Sequence, residues 1–564
     1  MTSPPIAPPP ERPDFAELFT PKLVTVLREG YSLANLRSDA LAGLTVAVVA
    51  LPLSMAIAIA SGASPAQGLY TAIFGGFLVS ALGGSRFQIG GPAGAFIVLV
   101  AATVAEHGMD GLLLTVLLSG LMLLAVGFLR LGTYIKFIPY PVTVGFTAGI
   151  AVIIFASQIK DLLGLTLAGP EPGPLLEKLP VLIAALPSAD PAAIALALGT
   201  AGLIVGLKRV RPHWPGMILA VAAASGLTAA LALPVETIGT RFGGIPSGVP
   251  LPSLPPISVD RVLAVLPNAV GFALLGAIES LLSAVVADGM TGRRHRSNCE
   301  LVGQGVANIA SALFGGIAVT GTIARTATNV RAGAHGPVAG MIHALVLLFF
   351  VLVAAPLASL IPLAALAGVL AVVAWNMVEK HAFLTLLRAS RGDAAVLLTT
   401  FLLTIFRDLT EAIIVGFALG SVLFIHRMSR ATAVEATPFV PEDRADSAGG
   451  ARTPYDETAR DRDVLVYRIS GAFFFGAAAS IGSVLDRIAD THRVLILDFS
   501  AVPFLDSTGV NMIEGLARKA GRRGGLVIAG AGAEVRRNFA AHGLAPPLIR
   551  FAPTVEAALA EARG

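Results

Sequence analysis

The sequence predicts a polytopic α-helical membrane protein that ends in a small α/β domain. Of its 564 residues, 55% are hydrophobic and 13% are charged, about half of the roughly 25% charge found in soluble domains. The mean hydropathy of +0.78 excludes a soluble globular enzyme and a disordered chain. About fourteen apolar runs are candidates for membrane helices, which need roughly 20 residues to cross a bilayer. After Arg430 the composition changes abruptly to that of a soluble domain.

Residues 1–38 predict a cytoplasmic N-terminal segment. Its first 13 residues are rich in proline, and the first long apolar run starts near Leu41, so we expect no signal peptide. The single cysteine, Cys299, argues against a disulfide framework and against thiolate metal sites. We expect neither a metal nor a cofactor, and the scattered charge gives no reason to expect nucleic acid as a partner.

Residues 39–430 predict the membrane domain. The candidate spans lie near 41–61, 66–83, 92–105, 111–130, 139–159, 190–207, 214–234, 262–288, 301–317, 324–334, 337–355, 358–379, 391–406 and 410–427. With the N-terminus inside, the cytoplasmic ends carry eighteen Lys and Arg residues and the outer loops five, as the positive-inside rule requires. We therefore expect an even number of spans in the inner (plasma) membrane, with both termini cytoplasmic.

The C-terminal part predicts a polar linker over 431–462 and an α/β domain over 463–564. Strands are expected at Val464–Ile469, Val494–Phe499, Gly525–Ala529 and Leu548–Phe551, and helices at Ala477–Asp490, Thr508–Ala520 and Thr554–Ala562. Short apolar runs that alternate with amphipathic helices are typical of a small α/β fold.

The third and tenth spans are short and follow glycine-containing breaks. They lie seven spans apart, as they would in two halves of inverted topology, and broken segments at matching positions point to a binding site at the membrane midplane. The breaks lie in Gln88–Phe96 and Thr320–Asn329. Two half-helix N-termini that face each other would attract an anion. The alternative is ordinary helix packing through glycine.

Two charged residues lie inside otherwise apolar or neutral spans. Arg325 follows the second break, and its guanidinium cannot lose its charge on burial, so we interpret it as an anion ligand. The alternative is an arginine that extends to the membrane surface. Burial favours the neutral form of a carboxylic acid, so Glu279, with Ser283 one turn later on the same face, is the candidate proton carrier. The alternative for Glu279 is a structural partner for an arginine.

The remaining charged residues favour structural roles. Asp288 is expected to help end its helix, and the Arg407–Glu411 segment to form a local ion-pair or capping cluster. His107, His343 and His381 have no partner at metal-ligand spacing, and structural or surface roles are expected for them. Because no phosphate-binding Gly-x-x-x-x-Gly-Lys-Ser/Thr loop is present in the sequence, we expect a secondary transporter and not an enzyme or an ATP-driven pump.

From about Leu33 to Ala562 the chain resembles the sulfate permease (SulP) family of anion transporters. The resemblance rests on Leu51–Ala56 followed by Gly68–Thr71, on Gly91-Pro92, on Glu279–Ser283, on Ala324–Ala327, and on Asp506–Gly509, which is similar to the loop of the C-terminal STAS domain of that family. It implies a seven-plus-seven inverted repeat divided into core and gate domains, an elevator-like movement and a homodimer.

The resemblance also implies the residues of the site. The anion would be bound near Ala93, Gly94, Ala324, Arg325 and Thr326, and the first span would line the site with Pro52, Ser54 and Ile57. Sodium-coupled bicarbonate relatives generally carry Asp where this chain has Glu279, which favours protons over Na⁺ here. The small side chains at the site are compatible with dicarboxylates as well as with sulfate or bicarbonate.

Together these features predict a secondary active transporter of inorganic or small organic anions, with a proton as the co-substrate. An anion exchanger, a Na⁺-coupled bicarbonate transporter, a nucleobase transporter and a non-transporting sensor that signals through the STAS domain are the alternatives. In the STAS loop, Asp506, Ser507 and Thr508 are the candidate regulatory residues. Ser507 or Thr508 could cap the following helix, whereas the resemblance implies phosphorylation at Thr508 and a cytoplasmic protein partner.

Overall fold

The computed structural model describes residues 14–133, 139–169, 171–172, 174–211, 214–407, 409–431, 433–436, 464–474, 494–520 and 525–563. The chain divides into two compact units, Met1–Phe417 and Ala418–Gly564. The predicted helix Ala477–Asp490 and Asp408 of the predicted charged cluster lie outside the described residues.

Unit 1 is built from helices. In chain order they are α1 (Phe15–Phe19), α2 (Lys22–Arg28), α3 (Leu33–Ala60), α4 (Pro65–Tyr70), α5 (Gly76–Leu82), α6 (Ile97–Phe128), α7 (Tyr140–Leu163), α8 (Leu175–Ala185), α9 (Pro191–Val210), α10 (Gly216–Ala230), α11 (Ile238–Phe242), α12 (Val259–Thr291), α13 (Ser297–Leu313), α14 (Ile323–Arg331), α15 (Val338–Ala358), α16 (Leu363–Met377), α17 (Lys380–Ala389), α18 (Arg391–Phe406) and α19 (Leu409–Ala431), the last of which continues into unit 2. Two short strands, β1 (Gly90–Gly91) and β2 (Thr320–Gly321), lie among them.

Each of the fourteen predicted spans falls on helical structure. A π-helical turn, Thr71–Gly75, joins α4 to α5, so that one helical segment covers the second span. Within the described residues, nine helical segments are long and apolar enough to cross a membrane by themselves, and Gly216–Ala230 is a shorter apolar helix.

The third and fourth spans form a hairpin although α6 runs through both. Gly108 has the positive φ of +70°, which glycine adopts readily because it has no Cβ. A Cβ on Gly276 of α12 would lie 3.6 Å from Phe96 and 3.7 Å from Leu123. In a straight helix those two side chains would be about 40 Å apart. The chain therefore turns back at Gly108.

The helix ends meet as alternate crossing of the predicted spans requires. At one end of the bundle, Arg296 donates to the Thr20 carbonyl oxygen at 2.8 Å, and Arg86 pairs with Glu29. Elsewhere in unit 1, Arg241 pairs with Asp161 at 3.0 Å. The segments that follow the second and eighth spans thus lie with the N-terminal helices, and those that follow the fifth and seventh spans lie with each other.

The helices of unit 1 pack as two groups. The first group contains α3 to α6 and α12 to α15, and the second contains α7, α9, α10, α16 and α18. Contacts are denser within each group than between them, where α3 touches α7, α10 and α16, and α6 touches α7. This division matches the core and gate domains that the resemblance implies.

Glycine allows the closest helix contact in the first group. Helices α6 and α13 meet at Gly120 and Gly305, and a Cβ on either residue would lie within 2.8 Å of the carbonyl oxygen of the other. Small residues at such contacts let helix backbones approach closely in membrane proteins.

Unit 2 contains a five-stranded sheet with the order β3-β4-β5-β6-β7, in which β3 is antiparallel and the other strands are parallel. The elements are β3 (Ala433–Ala436), β4 (Val464–Ser470), β5 (Val494–Ala501), β6 (Leu526–Ala529), β7 (Ile549–Ala552), α20 (Ser507–Ala520), α21 (Ala533–Ala541) and α22 (Val555–Arg563). Leu497 and Phe499 face the apolar layer shared with α20 and α21, whereas Ile496 faces α22. Both faces of the sheet are therefore covered, as parallel sheets require.

Two elements of unit 2 were not predicted. Strand β3 lies within 431–462, the segment interpreted as linker, and adds an edge strand to the sheet. Helix α21 was also missed.

Inside the sheet, burial alone would raise the pKa of Asp498. Hydrogen bonds from Ser500 and Arg468 outweigh this effect and hold the pKa below its usual range.

We predict that Gly305→Ala lowers the free energy of unfolding by about 1–3 kcal/mol, the usual cost of overpacking, because the new methyl group meets the backbone of α6. Gly199→Ala is the matched control, since a Cβ at Gly199 meets no atom within 4 Å. Thermal unfolding of the purified variants in detergent measures the difference. Equal stability of the two variants would contradict the close packing described here.

Candidate anion-binding site

The two glycine-containing breaks meet in the middle of unit 1. Strands β1 and β2 pair antiparallel, with Gly90 opposite Gly321 and Gly91 opposite Thr320. Beyond this ladder, the Thr322 N–H donates to the Ile89 carbonyl oxygen at 3.0 Å. The Ile89 N–H donates to Thr326 Oγ1 at 3.1 Å. Backbone groups that the breaks leave without helical partners are thus paired across the two halves of the chain, as an apolar environment requires.

Both breaks are followed by the start of a helix. Ala93 and Thr322 have extended backbone, and helical structure begins at Gly94 and at Ile323. Most residues here are buried, but Gly94 is half-buried and Ala324 is exposed. Free N–H groups at such starts carry partial positive charge. The exposed positions therefore mark where an anion could approach them.

Arg325 projects from the first turn of α14 and is only 1% exposed. Its Nη2 donates to Ser54 Oγ at 3.2 Å and to the Pro92 carbonyl oxygen at 3.3 Å. Its Nε and Nη1 have no hydrogen-bond partner among the described residues, and no Asp or Glu of those residues forms an ion pair with it. A buried guanidinium with unused donors is costly unless a ligand supplies the acceptors.

Glycine is needed at the breaks because side chains fill the adjacent space. A Cβ on Gly91 would overlap Arg325 Nη1, and a Cβ on Gly321 would overlap Gln88 Nε2. The ordinary packing interpretation of these glycines is therefore incomplete. Besides helix contacts, they make room for the polar side chains of the site.

The first span contributes Ser54 directly. Pro52, Ser54 and Ile57 are all buried inside α3. Proline in a helix interior lacks the N–H that would bond the preceding turn. Of these three predicted residues, Ser54 contacts Arg325; Pro52 and Ile57 belong to the apolar surroundings of α3.

Two helices of the second group lie close to Gly94, where the first half-helix starts. A Cβ on Gly94 would lie 3.1 Å from Ile154 Cδ1 of α7 and 3.6 Å from Met377 Sδ of α16. Sequence reasoning missed both residues, because an isoleucine and a methionine in apolar spans carry no signal. The predicted site thus lies at a boundary between the two groups of helices.

Glu279 and Ser283 lie on the side of α12 that packs against α14. Ser283 Oγ donates to Thr326 Oγ1 at 3.0 Å, and one turn before Glu279 the Gly276 carbonyl oxygen accepts from Thr320 Oγ1 at 3.2 Å. Glu279 is 7% exposed and forms no hydrogen bond or ion pair with any residue that the structure describes. No arginine neutralises it, so the structural alternative for Glu279 has no partner here.

Sequence reasoning missed a second buried acid, Glu300 of α13. It is fully buried and accepts hydrogen bonds from Ser85, Gln88, Ser280 and Gln304. Glu300 lies close to the basic Arg293–Arg296 loop, so by composition it does not stand out as a charge inside an apolar span. The polar residues every third or fourth position of α13 were the available signal.

A third buried acid holds the far end of α14. Asp39 of α3 accepts from the backbone N–H groups of His335 and Gly336 at 2.5 and 3.0 Å and from the Tyr31 hydroxyl at 2.7 Å. These bonds fix the loop that follows α14 to the start of α3. The half-helix that carries Arg325 is therefore anchored at both ends.

Other predicted residues have local roles. Asp288 accepts from the backbone N–H of His295 at 3.1 Å and pairs with its ring, beside the end of α12 at Gly292. Arg407 pairs with Glu411 at the surface. In unit 2, Asp506 and not Ser507 or Thr508 caps α20, because Asp506 Oδ1 accepts from the Gly509 N–H at 2.8 Å. Ser507 and Thr508 are exposed in the first turn.

Comparison with known proteins agrees with this architecture. The sulfate permease family matches residues 36–400, and the STAS domain matches residues 455–558. The putative sulfate transporter YvdB of Bacillus subtilis is 40% identical over 507 residues, which are 89% of this chain and 93% of that protein. The bicarbonate transporter BicA of Synechocystis is 33% identical over 90% of each chain.

Solved structures agree as well. The transmembrane domain of a cyanobacterial BicA superposes with a TM-score of 0.61 and 34% identity, covering 68% of this chain and 98% of that one. The anion transporter Slc26a9 from mouse, in its inward-facing state, superposes with a TM-score of 0.83 over 97% of this chain and 94% of its own, which at 19% identity shows a common fold. The chain therefore belongs to the sulfate permease family of anion transporters and carries a C-terminal STAS domain.

Proposed function

We propose that the protein takes up a small anion (sulfate, bicarbonate or a dicarboxylate) together with a proton across the cell's inner membrane. The observation that carries this proposal is Arg325, a buried cation beside the starts of two half-helices, two of whose nitrogen atoms have no hydrogen-bond partner in the described part of the chain. An anion in this place accepts the unused donors and neutralises the guanidinium. A neutral nucleobase would not neutralise the guanidinium, which favours an anion over a nucleobase as the substrate.

Glu279 is the proposed proton carrier, and charge balance is the reason. With Arg325 and Glu279 both ionised, an incoming monovalent anion leaves one uncompensated negative charge in a buried site, which is costly. A proton on Glu279 removes that excess for a monovalent anion and halves the excess that a divalent anion would bring. The other buried acid nearby, Glu300, accepts four hydrogen bonds that favour its ionised form. Glu279 accepts none from the described part of the chain.

The proposed movement is a displacement of the first helix group, which contains α3 to α6 and α12 to α15, against the second. The breaks, Arg325 and Glu279 all belong to the first group, and its contacts with the second group are less dense than those within it. An anion held by the first group would therefore travel with it past Ile154 and Met377. We further propose a homodimer with both termini cytoplasmic.

The test is counterflow in proteoliposomes with radiolabelled sulfate, bicarbonate, fumarate and succinate, with and without a pH gradient. We expect exchange of at least one anion and accumulation driven by an inward proton gradient. Exchange without such accumulation identifies an exchanger, and accumulation that requires Na⁺ identifies the sodium-coupled alternative. Anion binding without any flux identifies a sensor.

We predict that Arg325→Ala weakens anion binding about tenfold or more, since a hydrogen bond to a charged group contributes about 1.5–3 kcal/mol. The melting temperature of this variant is expected to stay near that of the wild type, because the substitution breaks no ion pair with a described residue and removes a poorly satisfied buried charge. Arg331→Ala, at the exposed end of the same helix, is the matched control. Unchanged affinity in folded Arg325→Ala would remove the basis of the proposed site.

We predict that Glu279→Gln abolishes accumulation on a pH gradient but leaves anion exchange measurable, because glutamine mimics the neutral acid and cannot release a proton. Asp260→Asn, an exposed position in the first turn of the same helix, is the control and should accumulate normally. Proton-driven uptake by Glu279→Gln would show that another group carries the proton.

We predict that deletion of the chain after Arg430 reduces transport or membrane delivery but leaves anion binding intact. Every residue of the proposed site lies within unit 1, so the STAS domain contributes no ligand. Anion affinity of the purified truncated protein, compared with that of the full chain, is the measurement. Complete loss of binding in a folded truncated protein would show that unit 2 helps to build the site.

A further inference from the structure

We propose that Glu300 is a positioning residue that holds the two glycine-containing breaks in register through Gln88. The proposal rests on the proposed anion site, because it explains how the half-helix starts and Arg325 keep their places. It concerns a residue that does not itself face the anion.

The Glu300 carboxylate joins segments that are distant in sequence. Its Oε2 accepts from the Ser85 N–H at 2.9 Å. Its Oε1 accepts from Gln88 Nε2 at 2.7 Å, from Gln304 Nε2 at 3.1 Å and from Ser280 Oγ at 3.3 Å. Three of these donors lie on elements other than α13: two in the chain that leads into the first break, and one on α12 next to Glu279.

Gln88 transmits this constraint to both breaks. It lies two residues before β1, and its Nε2 also bonds Ser280 Oγ at 2.8 Å. Its amide packs so closely on Gly321 of β2 that no Cβ fits there. A Gln88 side chain released from Glu300 could move into other rotamers, and β1 and β2 would lose a shared contact.

Glu300 is the acceptor in all four of these hydrogen bonds, an arrangement that suits a carboxylate with both oxygens free to accept. Glu300 has no ion pair among the described residues, so its charge is balanced by hydrogen bonds alone. Replacing one carboxylate oxygen by an amide would direct a donor at a donor. A buried donor without an acceptor is costly, so even the isosteric substitution should disturb this network.

The test is hydrogen–deuterium exchange of the anion-free full-length protein, followed in peptides that contain Ile89 and Thr322. Those two N–H groups form bonds between the breaks. We expect Glu300→Gln to accelerate exchange in both peptides about tenfold or more, the effect of losing a hydrogen bond to a charged group. Peptides from α9 and α18 in the second helix group should exchange as in the wild type.

The rescue variant is Gln88→Glu combined with Glu300→Gln, which exchanges donor and acceptor and preserves the total charge. We expect it to restore protection in both peptides toward the wild-type value. Gln304→Ala is the control, since it removes a donor that does not reach either break, and it should leave the two peptides protected. If Glu300→Gln does not fold, Gln88→Ala is the second variant, and it should also lower the protection of the two peptides from exchange.

Two results would overturn the proposal. Wild-type protection in Glu300→Gln shows that the breaks hold their register without Glu300. Faster exchange throughout the first helix group, with no rescue by the reciprocal pair, shows a general stabilising role. Because no anion is present in these measurements, both results keep their meaning even if the proposed transport function is wrong.

Discussion

The structure depends on one constraint, which is that backbone polar groups exposed by a broken helix must find partners inside an apolar bundle. Two breaks satisfy each other through the ladder of β1 and β2, and this pairing brings Arg325 beside Ser54 and Pro92. The glycines at the breaks follow from the same constraint, since Arg325 and Gln88 occupy the space that a Cβ would need. An arrangement that first solves a backbone problem thus also creates a place for an anion.

The buried acids at and near the candidate site differ in their surroundings. Glu300 and Asp39 each accept several hydrogen bonds, whereas Glu279 has none from the residues that the structure describes. This difference supports the proposal that Glu279 is the acid that changes its protonation state. Among residues of similar burial, hydrogen-bond donors therefore distinguish the proposed anchors from the proposed proton carrier. The same reasoning gives Ser283 the role of joining the helix of Glu279 to that of Arg325.

Much of this could be predicted from the sequence because charges in apolar spans are rare. Arg325, Glu279 and the two breaks stand out by composition and position, and the family resemblance added Ser54. Glu300 did not stand out, because a basic loop precedes it and its helix is polar along one side. Ile154 and Met377 gave no signal, since only the packing of distant helices brings them to Gly94. Strand β3 was missed because four residues gain strand character from their neighbour β4 and not from their own pattern.

The pairing of the breaks has a consequence for how the protein is made. Ile89 and Thr322, which bond each other, are separated by 233 positions, so the first half of the chain enters the membrane long before its partner strand is synthesised. Until then the Gly90–Gly91 segment has no β2 to pair with and must rely on water, lipid headgroups or an insertion factor for its hydrogen bonds. The centre of the molecule is therefore completed late in biogenesis, and a ribosome that stalls before Thr320 leaves a product whose breaks cannot close.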